Sequence, residues 1–370
     1  MQLLVKCIYF VYRKMIETKQ RVEGLISIII PCYKAENFLL NILNDVRQQK
    51  YDKWELLIVS NGEGQAPQLR IANKFAEDNK NVQVLVLHES GAGNARNKGM
   101  EMAIGEWFTF LDADDRIDSD HLQKYMDAVE SASIKPDIVI GGFYLEQKRN
   151  GGVCMVDIPK YEKKDFVLNC SEMLRASSCN KLYRADFVGA YRFNVLYSMR
   201  EDAVFNSMLI LNTDNILTIP ISGYHYILCD VENASSKYHA TYEESLMEYN
   251  SIQLQMFQRL GVSDETIKEW QEKHFFYDSF GLARNLFKKG SHLSVSQQRG
   301  DIKRMIYQNP LHKSCLRWYP WGRQTLLDKM WIVCLRIESS LFVVFVLRIQ
   351  YWVKNHFFTI FMKLWPLLSK

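Results

Sequence analysis

No Cys-x-x-Cys pair occurs in this chain, and no histidine stands at ligand spacing from any of its eight cysteines. That excludes a structural zinc module and a redox dithiol of the usual spacing. The scattered thiols, Cys7, Cys32, Cys154, Cys170, Cys179, Cys229, Cys315 and Cys334, read as reduced and buried side chains of a cytosolic protein. A long basic run with interleaved aromatics is also missing. With 46 Lys and Arg against 42 Asp and Glu the net charge is only +4, which excludes a nucleic-acid groove. There are no internal repeats and no low-complexity tracts. Residues 1–15 are apolar but carry Lys6, Arg13 and Lys14, and no small-residue cleavage site follows. They are too short to span a bilayer and unlike a signal peptide; an interfacial helix, or a native start at Met15, fits them.

What the chain does have is alternation. Between Leu25 and Ile140, short apolar runs alternate with amphipathic stretches, the pattern of βαβ units around a largely parallel sheet. Strands are expected at 26–30, 55–59, 82–87 and 107–111. Helices are expected at 36–49, 68–78 and 92–104. After a turn at Gly151-Gly152, helices are expected near 171–177 and at 201–211, and from Tyr242 onward the reading is helical almost throughout.

Two acidic runs carry the chemistry. Phe110-Leu111-Asp112-Ala113-Asp114-Asp115 delivers Asp112 and Asp114 two residues apart at the end of a strand, so both carboxylates leave on one side, an oxygen site for Mg²⁺ or Mn²⁺. Glu201-Asp202-Ala203-Val204-Phe205 sets a carboxylate pair at a helix start, where Asp202 can act as general base. A structural reading stands beside each: Asp118 as a helix cap after a solvated turn, and Ser198 to Glu201 as a capping box.

These runs, with Ile28-Ile29-Ile30-Pro31-Cys32-Tyr33-Lys34-Ala35-Glu36, Ala95-Arg96-Asn97-Lys98-Gly99 and Asn180-Lys181-Leu182-Tyr183-Arg184, come in an order that resembles the inverting glycosyltransferase family 2. The resemblance covers about Leu25 to Tyr226. It implies an α/β GT-A fold, a Rossmann-like mixed, largely parallel sheet with flanking helices. It also implies a nucleotide-sugar donor contacted by Pro31, Tyr33, Glu36, Asn61, Arg96 and Asp112, and a metal on Asp114 and Asp112. Asp202 becomes the catalytic base, with Glu201 and Lys181 on the acceptor side. The acidic pair usual after the second strand is replaced by Ser60-Asn61-Gly62; an asparagine oxygen still accepts a hydrogen bond from a base but brings no charge. The acceptor implied is a glycan or a lipid-linked sugar, in bacterial surface polysaccharide synthesis.

Two other readings are open. A catalytically degenerate domain retained for membrane-associated assembly would lack metal-dependent donor binding. A nicotinamide-dependent oxidoreductase is signalled by Gly91-Ala92-Gly93-Asn94-Ala95-Arg96, a dinucleotide fingerprint in which Arg96 stands in place of the third glycine.

The expected organisation is an extension at 1–24, a catalytic domain at 25–228 (nucleotide half 25–118, acceptor half 119–228), a helical extension at 229–329 and a tail at 330–370. In the tail, five cations stand against one acid, Glu338, among many aromatics, and the longest uncharged run is Ser339 to Leu347. That is far below the roughly 20 residues of a spanning helix. One interrupted helix or two short ones on the inner face of the cytoplasmic membrane is expected, with packing against the rest of the chain as the alternative.

Overall fold

The computed structural model describes residues 20–64, 66–147, 152–159, 163–228, 237–320 and 324–356, the side chains of the last three excepted. The apolar start with Met15, the turn residue Gly151, Cys7, Cys229 and the tail beyond His356 lie outside the described residues. The chain divides into two compact units, one of residues 1–231 with 251–256 and one of 232–250 with 257–370.

The first unit is built on a nine-stranded mixed sheet in the order β3-β2-β1-β4-β8-β6-β9-β5, with β7 beside β6. Strands β1 (Val22–Cys32), β2 (Trp54–Asn61), β3 (Val82–Leu87) and β4 (Gly105–Phe110) are mutually parallel. They alternate with α1 (Leu39–Arg47), α2 (Ala66–Glu77) and α3 (Ala92–Met102), each within a few residues of its expectation. Ile26, Ile28, Ile29 and Ile30 are all fully buried, because β1 is central and covered on both faces. α3 crosses β1 closely at Gly99, where an added Cβ would lie 2.3 Å from Ile29 Cγ2.

The remaining elements are β5 (Arg116–Ile117), α4 (His121–Ser131), β6 (Ile138–Gln147), β7 (Gly152–Val156), α5 (Lys163–Asn169), α6 (Glu172–Ala176), β8 (Lys181–Arg184), α7 (Ala185–Val188), α8 (Glu201–Leu211) and β9 (Ile216–Leu228). Here β8 joins β4 and β6 antiparallel, and β9 runs parallel to β6. β6 therefore presents one edge to β8 with its first half and to β7 with its second.

The second unit is helical: α9 (Tyr242–Arg259), six residues of which group with the first unit, α10 (Asp264–Asn285), α11 (Val295–Ile302), α12 (Leu311–Ser314), α13 (Leu326–Ile337) and α14 (Ser340–His356). The tail forms two helices parted at Glu338, which adopts a positive φ of 53°. Its inner residues form part of this unit's core: Trp331, Ile332, Cys334, Leu335, Val343, Val344 and Leu347 are buried. The indole nitrogen of Trp331 donates to the Phe276 carbonyl and to Ser279 Oγ. For α13 and the inner face of α14, packing within the unit replaces the lipid contact expected of them.

Candidate active site

The strand order reverses at β1, whose neighbours are β2 on one side and β4 on the other. The crevice at such a reversal, beyond the carboxyl ends of the strands, is where open α/β sheets bind ligands. Leu111 N donates to the Ile29 carbonyl at 3.0 Å, so Asp112 emerges beside the loop that follows β1. Pro31 is half-buried at the end of β1, and Tyr33 and Glu36 are exposed in the loop. The Tyr33 ring lies against Gly62, where a Cβ would meet it at 3.0 Å. Gly62 also has φ +79°, so conformation and crowding both require a residue without a side chain there.

A residue missed in the sequence holds this rim together. Gln68, buried in the first turn of α2, donates from Nε2 to the Cys32 carbonyl (3.1 Å) and to Ser60 Oγ (2.8 Å), and its Oε1 accepts from Ala35 N (3.2 Å). One amide thus ties together the end of β1, the end of β2 and the intervening loop. Periodicity marked Gln68 only as a helix start, and no local pattern gives such a clamp away. The Asn61 amide nitrogen donates to the Gly91 carbonyl at 3.0 Å, fixing the turn before α3.

Arg96 is the hub. It is buried on α3, with Nη2 on Asp112 Oδ1 at 3.0 Å and Nη1 on Glu201 Oε1 at 3.1 Å. The rings of Phe110 and Phe193 lie 6.0 and 5.5 Å from its Cζ. Asn97 fixes Phe193 through both amide atoms, each 2.9 Å from the Phe193 backbone. Burial pulls the Arg96 pKa down, and the carboxylates of Asp112, Glu201 and Asp202 more than reverse this, so it is raised and the cation is permanent. Gly93 lets this cluster close, since its Cβ would stand 3.3 Å from Phe193 Cβ and 3.6 Å from Glu201 Cγ. The glycine of the dinucleotide-like run therefore serves packing against the protein's own side chains.

Asp202 sits in the first turn of α8, with Oδ1 accepting from Ala203 N at 2.7 Å. Burial raises its pKa, and Arg96 only partly offsets this. Glu201 is raised as well, first by burial and then by the charge of Asp202. The expected capping box does not form: the cap position is Arg200, in the left-handed region at φ 66°, with no side-chain cap bond. Glu201 turns to Arg96 instead. Asn206, one turn on, donates to the Asp202 carbonyl (3.0 Å), to the Ala176 carbonyl (2.7 Å) and to Ser178 Oγ (3.1 Å), anchoring this helix to the 176–178 segment.

Lys181 is fully buried rather than on an open acceptor face. Its ammonium donates to the carbonyls of Leu174 and Ser177 and to Asn180 Oδ1, and burial lowers its pKa to about 7.

In the acidic run, Asp112 is partly exposed, Asp114 exposed and Asp115 buried. Asp115 accepts from Tyr224 OH and from Ile227 N (2.8 Å), latching the run to β9, and burial raises its pKa well above the usual range. Asp118 does not cap α4, whose cap position is Asp120. The Asp118 side chain meets His225 Nε2 at 3.0 Å, while Nδ1 of that ring meets Glu146 at 2.5 Å.

Among the described residues no group of three or more His, Cys, Asp or Glu is arranged to hold a metal ion. Asp112 and Asp114 offer two carboxylates. Mg²⁺ commonly takes one or two carboxylates and completes its shell with substrate phosphates and water, so these residues fit a cation that shares its ligands with a diphosphate.

Residues 27–192 match the family model described as Glycosyl transferase family 2. This segment is a family 2 glycosyltransferase domain. The domain's relatives include the glycosyltransferase GlyA of Streptococcus pneumoniae, 27% identical over 218 residues, which are 55% of this chain and 31% of GlyA. They also include the teichoic acid poly(glycerol phosphate) polymerase of Staphylococcus epidermidis, 28% identical over 175 residues, 46% of this chain and 23% of the polymerase. The chain thus spans less than a third of either relative. In three dimensions it is similar to S. aureus TarS 1–349 in complex with UDP-GlcNAc, with a TM-score of 0.56 at 18% identity over 88% of this chain and 91% of that one. The family 2 fold expected from the motifs is the fold observed.

Proposed function

We propose that this chain is a metal-dependent, inverting glycosyltransferase that moves a sugar from a nucleotide donor, a UDP-sugar, to a hydroxyl of a glycan or lipid-linked acceptor in bacterial surface polysaccharide synthesis. It would work as a peripheral protein on the inner face of the cytoplasmic membrane. The observation that carries this reading is the double ion pair of Arg96. It joins Asp112, at the crevice beyond β1 and β4, to Glu201, the neighbour of Asp202.

The loop with Pro31, Tyr33 and Glu36 receives the nucleotide, with Gln68 and Asn61 holding its rim in shape. Asp112 takes the ribose side of the donor. Asp114 and Asp112 would hold Mg²⁺ or Mn²⁺, which when bound neutralises charge on the diphosphate. Asp202 removes the proton of the acceptor hydroxyl. The raised pKa from burial makes it a stronger base than an exposed aspartate. The hydroxyl oxygen then attacks the anomeric carbon on the face opposite the diphosphate, which inverts that centre. Arg96 keeps Glu201 paired beside the base, so that two adjacent carboxylates can coexist in a partly buried place.

The name of the teichoic acid polymerase supports a cell-surface product, and the UDP-GlcNAc complex of TarS, a protein of the same fold, supports UDP as the carrier. Calorimetric titration with UDP, GDP and NAD, with and without Mn²⁺, on wild type and Asp114→Ala tests the reading. UDP binding that needs both Mn²⁺ and Asp114 is the expected result. Absence of any nucleoside diphosphate binding would favour the degenerate assembly reading, and metal-independent NAD binding the oxidoreductase.

A further inference from the structure

Helix α14 is apolar on two opposite faces. Val343, Val344 and Leu347 enter the core of the helical unit. On the other side Leu341, Phe345, Ile349 and Trp352, spaced four, four and three residues apart, are 54, 60, 46 and 54% exposed. That spacing places them on one stripe of the helix. Arg348 is exposed between them while donating to Gln298 at 3.2 Å. A surface helix normally turns charged and polar residues outward, so a large apolar stripe there calls for a partner.

The charge pattern selects that partner. From Ser339 to Lys370 the sequence has no acidic residue and four cations, Arg348, Lys354, Lys363 and Lys370. Aromatic and aliphatic side chains with interspersed cations suit the headgroup boundary of an anionic leaflet, where the rings enter the acyl edge and the cations meet phosphate. A second copy of the chain docking by this face would bring two cationic helices together, with no acid in α14 to answer them. Among the described residues no helix is long and apolar enough to cross a membrane.

We infer that the outward stripe of α14, Leu341, Phe345, Ile349 and Trp352 with Arg348, is the face by which this protein docks on an anionic lipid surface. This names the membrane contact of the function proposed above and does not depend on its chemistry.

Flotation of the purified full chain with vesicles of phosphatidylglycerol and phosphatidylcholine, against phosphatidylcholine alone, tests it. The variants are Phe345→Ser/Ile349→Ser and, separately, Arg348→Glu, with circular dichroism as a fold check. All three positions are exposed, so the variants should fold as wild type. Wild type should float with the anionic vesicles, and the double variant should lose about tenfold or more in apparent partition. Arg348→Glu should lose binding in a salt-sensitive way. Wild-type flotation that both variants retain in full overturns the assignment of this face while leaving a peripheral protein. No flotation of wild type, with a concentration-dependent dimer that Phe345→Ser/Ile349→Ser abolishes, overturns it in favour of a second copy. UDP titration of the same samples reports on the donor site independently.

Discussion

Arg96 and Glu201 stand 105 positions apart in the chain and 3.1 Å apart in the fold, guanidinium Nη1 to carboxylate Oε1. The other arm of the same guanidinium holds Asp112. The segment after β4 that carries Asp112 and the first turn of α8 are thus coupled through one buried cation that only a forked side chain can supply.

Replacing Arg96 with Met should therefore leave Asp112 and Glu201 without their counter-charge and cost about 3–5 kcal/mol of unfolding free energy, measured by urea titration. Arg96→Lys keeps a charge but reaches only one partner at a time. It should recover part of that stability while turnover stays depressed by about 100-fold, in line with the sensitivity of positioned groups. Full activity in Arg96→Lys would show that the bridge is only electrostatic.

Asp202→Asn preserves shape and the contact to Ala203 N. Steady-state assays should show kcat falling by about 10²- to 10⁴-fold, the range for removing a general base, with UDP affinity unchanged. A variant that instead loses UDP would move Asp202 to the donor side.

Because burial raises Asp202, the acid limb of kcat should lie above the ordinary aspartate value of about 3.9. Activity needs the carboxylate and is lost as pH falls through the raised value. Stability has the opposite sign: the folded state holds this proton more tightly than the unfolded state, so the ionised form weighs against folding at neutral pH. Asp202→Asn should melt at or above the wild-type temperature at pH 7, and this advantage should vanish as pH is lowered. Melting curves from pH 4 to pH 8 would decide it.

Gln68→Leu removes both halves of the rim clamp and strands Ala35 N and Ser60 Oγ in a buried place. A loss of about 1–3 kcal/mol of stability is expected for unsatisfied buried groups, with weaker UDP binding and little change in kcat once donor is saturating. A kcat defect with normal UDP affinity would contradict a role confined to the nucleotide rim.

The parallel half of the sheet was legible because its signals are local. Val82–Leu87 and Glu201–Leu211 coincide with their expected spans, since a run of strand or helix formers bounded by polar residues needs little else to declare itself. Ser198 to Glu201 was misread for the complementary reason. The capping-box spacing is present, but a buried guanidinium offers Glu201 a stronger partner than a helix-end amide. Lys181 shows the same limit, because its position in a motif says nothing of the three oxygens that enclose it.

Sequence alone determined the chemistry at hand: an arginine, then two carboxylates at a strand end and an acidic pair at a helix start, and a cationic, aromatic tail. Period and order are properties of neighbouring residues, so they survive in one dimension. Tertiary structure decided which of those groups meet, which lie buried and which remain open. Arg96 was brought to Glu201, Gln68 to the ends of β1 and β2 and Trp331 to a core, while Phe345 was left outside. Those outcomes depend on contacts between residues far apart in the chain, and burial, which sets both the charge states of the site and the exposed face of α14, exists only once such contacts form.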